Sequence, residues 1–218
     1  AVSLRGTTVG RFAALRQRFR PRGEGTIFVL SGGAVRGAAQ VGMLRAVLEH
    51  GVVPDQVVGV SAGALNGLVL ASDPTLERLS LLEEVWAQAA EKSPIRGSVL
   101  RNMAAIIRGH PSFDNGERLR ELIAANVPVE DISQTEIPFH LATTAASTGR
   151  HVWWSKGPSV ELLCASAARP GGLPAVELSD GDHHMDGGVV SNIPLRYALS
   201  LQPARLVVFD VAAPFLPP

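Results

Sequence analysis

The sequence predicts an α/β domain, a parallel sheet covered by helices, and three observations lead to that class. Two short, continuously apolar runs, Ile27–Leu30 and Val57–Val60, have the composition of strands buried on both faces. Each run leads through a glycine-bearing turn into a stretch with apolar residues at helical spacing. The resulting strand–helix–strand–helix order suits parallel strands joined by crossover helices.

The folded part is expected to begin near Thr26, with the first strand over Ile27–Leu30. Val41, Leu44, Val47 and Leu48 then fall on one face of a helix over Ala38–His50, which Gly51 can stop. The second strand, Val57–Val60, leads into a helix over Ala62–Ala71. Leu76, Leu79, Leu82, Val85 and Trp86 define a third helix within Pro74–Glu91. Further helices are expected over Val99–Arg108 and Asn115–Ala125. Phe139–Ala145 and His151–Trp154 read as strands around a turn at Thr148-Gly149, and Val160–Ala168 as a helix ending before Pro170. Val176–Leu178 and His183–Met185 read as a hairpin across Asp180-Gly181, a favoured two-residue turn. A helix near Leu195–Leu201 and a strand over Arg205–Val211 complete the pattern.

Composition bounds what such a fold can do. The chain has 218 residues, of which 46% are hydrophobic and 18% charged, which fits one domain and excludes a disordered chain. Its one cysteine, Cys164, excludes an internal disulfide framework. Basic and acidic residues number 20 each, so no global charge calls for nucleic acid. The charge is unevenly placed. Residues 1–25 hold six arginines against Glu24, a net of +5, and the remainder carries 14 basic and 19 acidic residues, a net of −5. Residues 1–25 are therefore expected to form a basic arm, either a solvated terminus or a peripheral contact with an anionic membrane. Residues 26–218 form the domain proper. No secretory signal or transmembrane span is read, and a cytoplasmic location, peripheral at the membrane, is expected.

Three short motifs carry the chemistry. Gly59-Val60-Ser61-Ala62-Gly63 is a G-x-S-x-G sequence between an expected strand and an expected helix. A serine on so tight a turn presents its hydroxyl outward. Gly59 and Gly63 allow strand and helix to pass closely, and the helix N-terminus behind Ser61 favours developing negative charge. Ser31-Gly32-Gly33-Ala34-Val35-Arg36-Gly37 also joins a strand to a helix. Its glycines let main-chain N–H groups converge on an anion, as in an oxyanion hole, although an ordinary connecting loop has the same composition. It matches neither nucleotide-binding glycine pattern. Asp186-Gly187-Gly188 puts an acid at a strand end, followed by two residues that permit close backbone approach.

Together, these motifs resemble the patatin-like phospholipase family. The strongest stretches are Phe28–Leu44, Val58–Leu68 and Met185–Leu195, with Ala165-Ser166-Ala167 and Pro170 also similar. The resemblance implies a three-layer α/β/α sandwich with a mainly parallel central sheet, and a Ser–Asp dyad without a catalytic histidine. By motif position Ser61 is the nucleophile and Asp186 its partner. Backbone N–H groups of Gly33 and Ala34, with Gly32 adjoining, are the oxyanion donors. Arg36, Gly37, Gly59, Gly63, Gly187 and Gly188 support the motifs. No cofactor or metal is implied, and the partner is a lipid or lipid-like ester. Family members often continue beyond a point like Pro218 with helices that would complete an acyl pocket, so a truncated domain is one expectation.

One position departs from the family pattern. The loop usually has three consecutive glycines, and here the third is Ala34. Alanine keeps its N–H but resists positive φ. If that dihedral is required, a donor is displaced, and one lost donor costs about 10²–10³ in rate. The readings are therefore a lipid acyl hydrolase, a weakened lipid-binding or regulatory domain, and an acyltransferase or thioesterase using the same serine. A histidine triad lacks support, since no histidine follows Asp186. Asp180, Asp182, His183 and His184 have metal-ligand composition but read as a surface hairpin. Arg36 reads either as an attractor of phosphate or carboxylate or as a surface arginine. Cys164 reads as a packed thiol. Trp153 and Trp154 read as side chains on opposite strand faces. Arg96–Arg108 reads either as a packed helix or as a membrane-facing lid.

Overall fold

The structure, a computed structural model, describes residues 25–92 and 116–212. The basic arm up to residue 24, the segment 96–108 and the start of the 115–125 helix lie outside the described residues. The strands are β1 (Thr26–Leu30), β2 (Gln56–Gly59), β3 (Phe139–Ala145), β4 (His151–Trp154), β5 (Val176–Glu177), β6 (His183–Asp186) and β7 (Arg205–Phe209). The helices are α1 (Gly37–Glu49), α2 (Ala62–Ser72), α3 (Leu76–Lys92), α4 (Glu117–Asn126), α5 (Ser159–Ala167) and α6 (Leu195–Ser200).

The sheet runs β5-β6-β3-β2-β1-β7, with β4 also paired to β3. Its centre is parallel: β1 pairs in parallel with β2 and β7, and β2 with β3. The remaining pairs, β3–β4, β3–β6 and β5–β6, are antiparallel. The fold is thus a mixed, mostly parallel sheet flanked by helices, in the three-layer α/β/α manner. The two layers differ in thickness. Phe28, Leu30, Val57, Phe139 and Leu141 bury one sheet face with Val41 and Leu44 of α1, Leu68 of α2, Leu79 and Leu82 of α3, Ile123 of α4 and Leu162 of α5. The alternate residues Ile27, Val29 and Val58 face the other way, onto Ala198 of α6 with Trp153, Ile193 and Tyr197. This is the period-two alternation of a strand, written in residues apolar on both faces because both are covered.

The edges of β3 position the site. β4 pairs over Leu141–Thr144, a span that overlaps both the β2 pairing at Leu141 and the β6 pairing at Thr143 and Thr144. A strand has two edges, so β4 occupies one, and β2 and β6 share the other end to end. β2 runs parallel to β3 and β6 antiparallel, so their C-terminal ends point at each other. Gly59 lies opposite Leu141 and Asp186 opposite Thr143, two residues apart along β3.

One expected turn differs. Leu178 N–H bonds to Asp182 C=O (3.1 Å), and Gly181 is left-handed at φ +80°, so the β5–β6 hairpin closes over three residues, not two. Asp180, in this loop, reaches His184. His184 itself is buried, not on the surface as the hairpin reading expects. Its Nδ1 meets Thr143 Oγ1 at 2.8 Å and its Nε2 meets the Asp180 carboxylate at 3.0 Å. Trp154 Nε1 donates to the same Thr143 hydroxyl, which leaves that hydroxyl's proton for His184 Nδ1. The Asp180/His184 part of the acidic and histidine-rich stretch is therefore a polar tie within the fold.

Candidate active site

The residues singled out from the sequence gather where β2 and β6 meet. Ser61 lies two residues beyond β2 and immediately before α2, with φ +55° and ψ −124°. That backbone lies outside the regions open to L-residues at no cost. Close packing enforces it. A Cβ on Gly59 would stand 2.4 Å from Gly63 O, and a Cβ on Gly63 would stand 2.5 Å from both Leu30 O and Ser31 O. The turn is further tied by Ser166 of α5, whose Oγ accepts from Ser61 N–H (2.9 Å) and donates to Ala142 C=O (2.9 Å).

Asp186 ends β6, 3% exposed. Its N–H donates to Ala168 C=O (3.0 Å), and its C=O accepts from Thr144 Oγ1 (3.0 Å). Its carboxylate accepts the Gly188 N–H (2.7 Å) and lies near the Ser61 side chain. Burial raises the carboxyl pKa above the ordinary value. The Gly188 N–H, the Ser61 hydroxyl and the Arg169 charge pull the other way and are outweighed. Gly187 packs on β3, where a Cβ would lie 2.6 Å from Ala142 O.

The loop after β1 abuts the same place: a Cβ on Gly32 would lie 3.2 Å from Ser61 Cβ. Gly32 N–H is used, donating to Asn192 C=O (3.1 Å). Among the described residues, the Gly33 and Ala34 N–H groups donate to nothing. Ala34 takes φ +48°, so it has adopted the left-handed backbone that an alanine resists. Arg36 donates from Nε to Val211 C=O (2.7 Å). Gly37 opens α1 against Trp86, whose ring a Cβ would meet at 2.4 Å.

A buried polar chain holds the loop from behind. Trp86 Nε1 donates to Asn66 Oδ1 (2.8 Å), and Asn66 Nδ2 to Gln40 Oε1 (3.0 Å) and Gly37 C=O (2.9 Å). Gln40 Nε2 then donates to Ser31 C=O (3.0 Å) and Phe209 C=O (2.9 Å), and Ser31 Oγ accepts from Val211 N–H (2.9 Å). On the thinner side, a groove of about 590 Å³ opens beside the Asp186 loop, lined by His151, Trp153, Val190, Pro194, Arg196 and Tyr197. His151 Nε2 meets Gly187 C=O at 2.7 Å, and among the described residues it makes no hydrogen bond to Ser61. His140, on β3, is packed against Tyr197, and burial drives its pKa down to about 4.

Several residues that shape the site carry no role in the sequence reading: Asn192, Ser166, Gln40 and Asn66. The one local signal is a polar residue inside an apolar helix, as at Gln40, Asn66 and Ser166. Asn192, in a loop, gives no such signal.

The model of the family described as Patatin-like phospholipase matches residues 28–199, and the chain belongs to that family. The family is one of lipid hydrolases. The chain is 28% identical over 186 residues to Neuropathy target esterase sws of Drosophila melanogaster, covering 85% of this chain and 13% of that protein. It is 27% identical over 192 residues to Patatin-like phospholipase domain-containing protein 7 of Mus musculus, covering 88% and 14%. The chain thus spans about a seventh of the length of these curated relatives. Among solved structures, VipD from Legionella pneumophila aligns with a TM-score of 0.47 and 16% identity over 80% of this chain and 47% of that one.

Proposed function

We propose that this chain is a lipid acyl hydrolase, acting on phospholipid, lysophospholipid or acylglycerol esters through Ser61 and Asp186. One observation carries the reading: a buried acid adjoins a serine hydroxyl on a strained turn, beside a loop with two N–H groups unpaired among the described residues. Family membership and relatives named as an esterase and a phospholipase-domain protein support the substrate class.

Asp186 accepts the Ser61 proton as Oγ attacks the ester carbonyl carbon. The carbonyl electron pair moves onto oxygen, and the Gly33 and Ala34 N–H groups receive that charge. The C–O bond to the alcohol then breaks, and Asp186 returns the proton to the departing oxygen. Water attacks the acyl-enzyme, giving a proton to Asp186 and releasing the acid as Ser61 recovers its proton. An ordinary aspartate, with a pKa near 3.9, is a weak base. The burial that raises the Asp186 pKa moves it towards usefulness.

Contact of the +5 arm with an anionic bilayer, in a cytoplasmic setting, belongs to the same reading, at about 1 kcal/mol per basic residue at the surface. The weakened-domain alternative rests on Ala34, whose φ of +48° supports an intact donor instead. The test is a fluorophosphonate ester probe on purified protein, read by intact mass and peptide mapping beside Ser61→Ala. A single adduct on Ser61, absent from the variant and accompanied by fatty-acid release from phospholipid vesicles, is expected. Folded protein that neither labels nor hydrolyses overturns the proposal.

A further inference from the structure

We propose that Asn192 is a positioning residue that aims the Gly33 N–H at the developing oxyanion. This inference rests on the hydrolase reading above. Asn192 grips Gly32 from both sides of its backbone. Its C=O accepts the Gly32 N–H (3.1 Å), and its side-chain Nδ2 donates to the Gly32 C=O (2.9 Å). Gly32 C=O can only accept, so the amide nitrogen must be the atom that faces it.

The consequence follows from the peptide group. The Gly32 C=O and the Gly33 N–H belong to one planar unit, and across a trans peptide they point in opposite directions. Fixing the oxygen against Asn192 therefore fixes the N–H on the far side, and that N–H has no other partner among the described residues. A hydrogen bond accepted by the oxygen also polarises the same unit, making its N–H a stronger donor. Packing reserves the space for this grip. A Cβ on Gly32 would lie 2.4 Å from Asn192 Oδ1, and one on Gly188 would lie 3.0 Å from it.

Asn192 also has a fixed relation to the acid. Between them, the turn Gly187–Val189 is closed by Val190 N–H and Ser191 N–H, both donating to Gly187 C=O at 3.2 Å. Asp186 and the oxyanion loop are thus spanned by one short, internally bonded segment. Among the described residues Asn192 makes no hydrogen bond to Ser61 or Asp186, and it acts through Gly32.

The test compares Asn192→Asp, Asn192→Ala and Asn192→Ser with the unaltered protein. It measures kcat and KM on a monomeric soluble ester, the affinity for a trifluoromethyl ketone that forms a tetrahedral oxyanion adduct, and melting temperature. Asn192→Asp keeps the shape but sets an acceptor against the Gly32 oxygen, so it should be the worst. A fall in kcat of about 10²-fold, the scale of one lost oxyanion donor, is expected with little change in KM. Ketone affinity should fall by the same factor, and Asn192→Ser, which retains a donor on a shorter arm, should recover part of it. Folded variants with unchanged kcat and ketone affinity overturn the proposal, as does a rise in KM alone. If Ser61→Ala abolishes turnover while the Asn192 variants remain fully active, this inference falls and the hydrolase reading stands. If the unaltered protein is inert, both fall.

Discussion

Ala34→Gly tests how the loop after β1 works. Ala34 holds φ +48°, a left-handed backbone that costs an L-residue about 1–2 kcal/mol. Glycine removes that cost. It also loosens the unfolded chain, which returns about 0.4–1 kcal/mol in the opposite sense. The net is a stabilisation of at most about 1.6 kcal/mol, a rise in Tm of about 3–6 °C at most for a chain of this size. The effect on rate separates two ideas. If the alanine displaced an oxyanion donor, restoring glycine would raise kcat/KM by about 10²–10³. With the backbone already in the required region, the N–H is already presented, and kcat/KM should stay within about threefold, or ~0.7 kcal/mol. Thermal melts followed by circular dichroism, with initial rates on a chromogenic ester, read both quantities. A gain of a hundredfold or more would refute the reasoning and show that Ala34 disables the loop.

Three further outcomes are expected. Ser61→Gly relieves the φ +55° turn, where strain of about 1–3 kcal/mol is typical, and removes no side-chain cap from α2, so it should melt higher than the parent while losing turnover; a lower Tm would count against strain at the elbow. Burial raises the Asp186 pKa, so as pH falls the base form is lost early, and the acid limb of kcat/KM should have its midpoint above the ordinary value of about 3.9. The linked sign for stability is opposite: the folded state holds this proton more tightly than the unfolded chain, so the Asp186 contribution declines as pH rises from the unfolded pKa through the folded one. Asp186→Asn should thus melt no lower than the parent at pH 7 while losing turnover, and an acid limb below the ordinary value would sink the assignment. Gly63→Ala forces a Cβ to within 2.5 Å of two backbone oxygens, neither able to rotate away, and should cost about 1–3 kcal/mol in denaturant melts; a change inside ~0.5 kcal/mol would contradict the packing.

Local patterns made β1, β2 and the turn at Ser61 legible, because a continuously apolar run, a glycine pair and a helical period are all short-range signals. α1–α6 begin and end within about two residues of their expected limits where they are described, ordinary fraying at helix ends. What the sequence could not reveal is held at long range. Asn192 and Gly32 are 160 residues apart, and Ser166 and Ser61 are 105 apart. His184 looks like a surface histidine because its neighbours are Asp182 and His183. Only the β3 pairing turns it inward, beneath Trp154. Nor does alternation along β1 reveal that one side meets five helices and the other a two-turn helix. Both sides are apolar, so the pattern is silent about thickness.

The tie between the loop after β1 and the end of β7 has a consequence in time. Gln40 needs Phe209 C=O, Ser31 Oγ needs Val211 N–H, and Arg36 reaches Val211 C=O. During synthesis the segment carrying Ser31 leaves the ribosome well before residues 205–211 do. Until they arrive, β1 has a bare edge and Gln40 an unfilled amide. A nascent chain therefore carries every polar group around Ser61 before it holds them in register, and β7 acts as the clasp.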